Sequence, residues 1–100
     1  MKRIKLIFRK NLKMTDKKLA SQCVHAAIGL YKKNPIDHWS CIVLEASDAK
    51  FEEAKLLHGD AFVVTDGGYT EVPAGSETCM AFYEEDPRMP EVWMEKPTSA

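Results

Sequence analysis

Lys18, Gln22 and His25 recur at the spacing that stacks side chains on one face of a helix, with Gly29 a turn further on. A cation, an amide and an imidazole in one row can bind an anion and move a proton. Lys17 and Lys18 fall in the helix's first turn, where the backbone dipole already presents partial positive charge, at a cost of ~0.3–1 kcal/mol each. That placement makes sense if an anion, phosphate above all, binds there. Without the lysines, Gln22 and His25 would read as polar side chains that merely face water. A second group of small polar residues lies in "DGGYTEVPAGSET", residues 66 to 78. Asp66 ends an apolar run at the C-terminal edge of a strand, where open α/β sheets hold ligands. The paired glycines let the chain reverse without bulk, and Thr70 points back toward Asp66 if the loop curls. "DGG" alone fits a plain turn, and its pairing with the helix row favours a site.

The elements that must position these groups alternate. "IKLIF" (4 to 8) reads as a strand, 16 to 33 as a helix, "SCIVLEA" (40 to 46) as a buried strand and 47 to 58 as a second helix. "AFVVT" (61 to 65) and "ETCMAFY" (77 to 83) supply two further strands. Asn34-Pro35 and Gly59 end the two helices. The βαβαββ order predicts an α/β fold, one sheet with helices packed on it and some parallel pairing. The first helix should bury Leu19, Ala20, Cys23, Val24, Ala26, Ala27, Leu30 and Tyr31, leaving the Lys18, Gln22, His25 and Gly29 row on the opposite side. A single domain over 1–86 is expected, followed by a short irregular tail, 87–100, interrupted by Pro87, Pro90 and Pro97. Trp93 and Met94 in that tail are expected to dock on the body.

One hundred residues, 45% of them apolar, allow one modest core, so every motif shares one body. The N-terminal apolar segment is too short for a signal peptide or a membrane span, which predicts a soluble, cytoplasmic protein without membrane contact. Cys23, Cys41 and Cys79 show no CxxC spacing and read as small buried hydrophobes in a reducing compartment. The net charge of -1 hides a strong polarity, because residues 1 to 33 hold ten Lys and Arg against the single acid Asp16. Such a field would orient a polyanion toward one side, although lysines that merely solvate the surface give the same count. His25, His38 and His58 lack ligand spacing, so no metal is expected. "PAGSE" lacks the nucleophile-elbow pattern, which leaves Ser76 a turn or phosphate-contact residue.

The segments "LKMTDKKLASQCVHAA" and "VVTDGGYTEVPAGSET" resemble the paired signature of the peptidyl-tRNA hydrolase type 2 family, K-M-x-x-G-K-x-A-x-Q-x-x-H-A and D-x-G-x-T-x-x-x-x-G-S-x-T. The resemblance implies a four-stranded mixed sheet. It also implies hydrolysis of the ester between a peptide and the 3′ end of tRNA, with peptidyl-tRNA as partner, no cofactor, and a homodimer left open. Carried over position by position, the catalytic candidates are Lys18, Gln22, His25, Asp66 and Thr70, while Lys13, Lys17 and Ser76 are candidates for tRNA or phosphate contact. On this reading Asp66 orients or deprotonates water, with His25 as the alternative base. Lys18 and Thr70 face the developing oxyanion, and Gln22 positions the ester or terminal ribose. Lys17 stands where the family has glycine, the second helix is short, and "YEEDPRMPEVWMEKPTSA" replaces the usual C-terminal helix. The alternative is a non-catalytic module of the same fold that binds RNA or a phosphorylated ligand.

Overall fold

The computed structural model describes residues 1–68 and 72–88. Strand β1 (Lys2–Arg9) leads through a 3-10 turn (Lys10–Leu12) to helix α1 (Asp16–Lys33), followed by β2 (Ser40–Ala46), helix α2 (Asp48–Leu57), β3 (Phe62–Thr65) and β4 (Glu77–Glu85). The sheet order is β2-β1-β4-β3. β1 runs parallel to β2 and antiparallel to β4, and β3 is antiparallel to β4, so the sheet is mixed. The expected residues 69 to 71, with Thr70 among them, and the expected docking of Trp93 and Met94 lie outside the described residues.

Local chemistry accounts for the helix limits. The Thr15 hydroxyl accepts the Lys18 N–H at the start of α1, and the Ser47 hydroxyl accepts the Lys50 N–H at the start of α2. Asp16 in the first turn and Lys32 and Lys33 in the last suit the dipole of α1. β1 and β4 run further than their apolar runs suggest. Lys2 pairs with Glu85 and Arg3 with Glu84, so charge complementarity extends the ladder beyond the apolar residues. Just past β4, the Asp86 carboxylate is buried between Arg88 and Arg3, and the Arg88 contact above all holds its pKa down at about 2.

Period-two alternation divides the core into two layers. Ile4 and Leu6 of β1 and Cys79 and Ala81 of β4 pack with Ala26 and Leu30 of α1, whereas Ile7, Met80 and Phe82 pack with Phe51 of α2. The helices thus cover opposite faces. The buried stripe of α1 differs from the expected arc, because its centre is Gln22, Ala26 and Leu30, while Ala20, Val24 and Tyr31 are exposed. Two long-range partners cause this rotation. Thr78 supplies a hydrogen bond to Gln22, and the ring of Phe62 lies against the bare backbone of Gly29. The cysteines also divide: Cys79 is buried and Cys23 half-buried, but Cys41 is exposed on the edge strand β2.

The space at Gly29 is therefore filled by the protein itself. A Cβ there would collide with the Phe62 ring. Gly29→Ala gains ~0.5–1 kcal/mol of helix propensity but meets overpacking of ~1–3 kcal/mol, so its urea midpoint should fall. A raised midpoint would show that Phe62 moves aside at little cost.

Candidate active site

β3 ends by delivering Asp66, whose main chain is tied on both sides. Its N–H donates to the Ser76 carbonyl and its own carbonyl accepts the Gly75 N–H, both at 2.8 Å. The chain turns at Gly68, which has φ +82°, and a Cβ there would lie 2.6 Å from the Ala74 Cα. Glycine is needed at that position both for its left-handed backbone and for closeness to Ala74. These main-chain bonds fix Asp66 where its carboxylate meets α1.

Lys18 meets that carboxylate, its Nζ donating to the two Asp66 oxygens at 2.9 and 3.1 Å. The Gly68 N–H donates to Oδ2 at 3.4 Å. Both side chains are largely withdrawn from water, with exposures of 12% for Lys18 and 7% for Asp66. The Lys18 hydrogen bond, with help from Gly68, holds the Asp66 carboxyl below its usual pKa against the opposing effect of burial. At neutral pH the pair is a fixed ammonium and carboxylate. A carboxylate so stabilised is a weak base, better suited to placing Lys18 and orienting water than to removing a proton.

One helical turn on, Gln22 is 5% exposed and its Oε1 accepts the Thr78 hydroxyl at 2.6 Å. With the carbonyl end of the amide so engaged, its NH2 end keeps two donors. Gln22, His25 and Asp66 line one cleft of about 740 Å³ between α1 and β3, which continues past Ile28 to Lys32 and Lys33. His25 is exposed at that cleft. The structure thus brings together Lys18, Gln22, His25 and Asp66, while Thr70 lies outside the described residues. Ser76 contributes main-chain bonds to the Asp66 turn, and Lys13 and Lys17 are exposed near the N-terminal end of α1. Lys13 has a left-handed backbone, φ 52°, where it closes the 3-10 turn.

Thr78 is a residue to which local patterning assigns no role. Its signal is a hydroxyl inside an apolar strand, where a buried polar group demands a partner. Local patterning is equally silent on Phe62, Ile28, Lys32 and Lys33, since their place on the cleft depends on how α1 meets β3. Among the described residues no three His, Cys, Asp or Glu side chains converge as a metal site.

The class defined by this fold and cleft is a three-layer α/β domain with a buried ammonium-carboxylate pair at the C-terminal edge of its sheet. The chain belongs to the family described as peptidyl-tRNA hydrolase PTH2, whose model matches residues 3–89. It is 34% identical to the human protein named peptidyl-tRNA hydrolase 2, mitochondrial, over 75% of this chain and 51% of that one. It is 30% identical to the peptidyl-tRNA hydrolase of Methanothermobacter thermautotrophicus over 81% of this chain and 84% of the relative. The chain therefore spans about half of the human relative and most of the archaeal one.

Proposed function

We propose that this chain hydrolyses the ester between a peptide and the 3′ end of tRNA. The observation that carries the reading is the buried Lys18–Asp66 pair beside Gln22 at one end of an open cleft, in a member of this family. Water adds to the ester carbonyl, the carbon-oxygen bond to the ribose breaks, and the ribose oxygen takes a proton. Lys18 and the Gln22 amide donate to the developing oxyanion. Asp66 holds Lys18 in place through its two hydrogen bonds and orients the water. His25 is the group open to the cleft that can take the water's proton, and Thr70 belongs to the same reading as a further donor. The cytoplasm is the proposed location, as a compartment where peptidyl-tRNA forms. No helix among the described residues is long and apolar enough to cross a membrane.

Release of peptide from peptidyl-tRNA by the purified protein tests this directly. Binding without release would assign the chain to RNA binding instead. The pH profile separates the two bases. Because the Asp66 carboxyl is held below its usual pKa, it stays ionised through the neutral range and should add no inflection in kcat/KM above about pH 4. An acidic limb in kcat/KM that is present in the parent and disappears in a His25→Asn variant would make His25 the base.

The exposed Lys13 and Lys17 are the proposed phosphate-binding residues. Affinity for tRNA should fall steeply with salt, and each lysine that engages a phosphate should, when replaced by alanine, reduce the magnitude of the log–log slope by roughly 0.7–0.9. An unchanged slope in the double variant would place the RNA elsewhere.

A further inference from the structure

The scissile ester has tRNA on one side and peptide on the other, so a site that fixes the ester also separates two paths. Lys13 and Lys17 sit near the N-terminal end of α1, next to the turn that holds Lys18 and Asp66. From that pair the cleft runs the other way, along α1 toward its C-terminal end. One of its walls is β3, the edge strand of the sheet, and the main-chain groups on the outer side of β3 pair with no strand among the described residues. Asp66 turns both its N–H and its carbonyl toward the β4 side. By the alternation of a strand, Thr65 and Val63 turn theirs outward. The opposite wall carries Ile28, which is 52% exposed, and the Phe62 ring adds apolar surface beside it.

We infer that this cleft holds the peptide part of the substrate, extended along the free edge of β3 from the Lys18–Asp66 pair toward Lys32 and Lys33. The inference rests on the hydrolase reading above and adds to it a peptide subsite. An extended chain offers the N–H and carbonyl groups that an open strand edge lacks, and that pairing is indifferent to sequence. Such tolerance suits an enzyme whose substrates carry varied peptides. Apolar side chains would lie against Ile28 and Phe62, and acidic ones would meet Lys32 and Lys33. From Gln22 to Lys32 the helix rises ~15 Å, which corresponds to about four or five extended residues. Between the polar groups at its two ends the cleft is walled by Ile28, Gly29, Phe62 and Val63, apolar side chain and main chain that fit peptide better than a phosphate backbone.

The test uses one tRNA charged with N-acetyl-aminoacyl groups or with peptides of two to eight residues. kcat/KM should rise by at least about tenfold up to four or five residues, chiefly through KM, and then stay level. Ile28→Glu, at an exposed position, should flatten that rise for neutral and acidic peptides. A parent protein that hydrolyses N-acetyl-aminoacyl-tRNA but gains nothing from added residues would overturn the subsite while leaving the hydrolase reading intact. Replacement of Lys32 and Lys33 by alanine that weakens the salt dependence of deacylated tRNA binding would also overturn it, because the cleft would then hold RNA. If no substrate is cleaved, the hydrolase reading falls, and the subsite is judged by binding alone. The chain must then prefer pentapeptidyl-tRNA to deacylated tRNA by about tenfold, and equal affinities would reject it.

Discussion

Replacing Asp66 by Asn should lower kcat/KM for peptidyl-tRNA by at least ~10²-fold in a protein that still folds. The amide keeps the volume of the carboxylate and an oxygen for the Gly68 N–H, but it removes the charge that faces Lys18. Lys18, itself 12% exposed, would then lack its counter-charge and lose its fixed position. Alanine is the poorer test. The Asp66 side chain is nearly buried, so Asp66→Ala also removes packing and the acceptor for the Gly68 N–H, and a fall in activity could reflect damage to the loop. The pH dependence of stability gives an independent check. A carboxyl whose pKa is lowered by folding stabilises the protein above its unfolded value, about 3.9, and that contribution is lost as pH falls through the lower folded value. Asp66→Asn should therefore flatten the stability curve in that acidic range. Turnover near the parental rate in the folded Asn variant would remove Asp66 from the mechanism.

The elements are readable in the sequence because their signals are local. Thr15, Asp16 and Asn34-Pro35 mark both ends of α1, and two-residue alternation separates the α1-facing and α2-facing sides of β1 and β4. Asp66 is legible at a strand end only as a turn residue, and it becomes a candidate site residue through its pairing with the Lys18 row. Which stripe of α1 is buried cannot be read in the same way. Apolar periodicity places Val24 and Tyr31 inside and Gln22 outside, whereas the structure does the reverse. What decides it is a hydroxyl 56 positions away at Thr78 and an aromatic ring at Phe62, neither of which leaves a trace in the periodicity of the helix. The row at Lys18, Gln22 and His25 is consequently no solvated face. It runs along the seam between core and cleft, which is why Gln22 can be both buried and presented to a ligand.

Lys18→Gln should reduce kcat/KM to a similar extent, about 10²-fold, through loss of the cationic donor to the oxyanion. Its effect on stability should differ from that of Asp66→Asn. Here the remaining group is a carboxylate, 7% exposed, stripped of the hydrogen bond that most lowers its pKa. That pKa should rise and the protein should lose stability most at neutral pH, where the unpaired charge must be kept buried. Adding Asp66→Asn to Lys18→Gln replaces that charge with a neutral amide able to bond its neighbour, so the double variant should be more stable than Lys18→Gln alone. Its activity should be no lower than that of the worse single variant, because once either charge is gone the other no longer has its positioned partner. Activity losses that multiply in the double variant would mean that Lys18 and Asp66 act on the ester separately, and that the ion pair between them is structural.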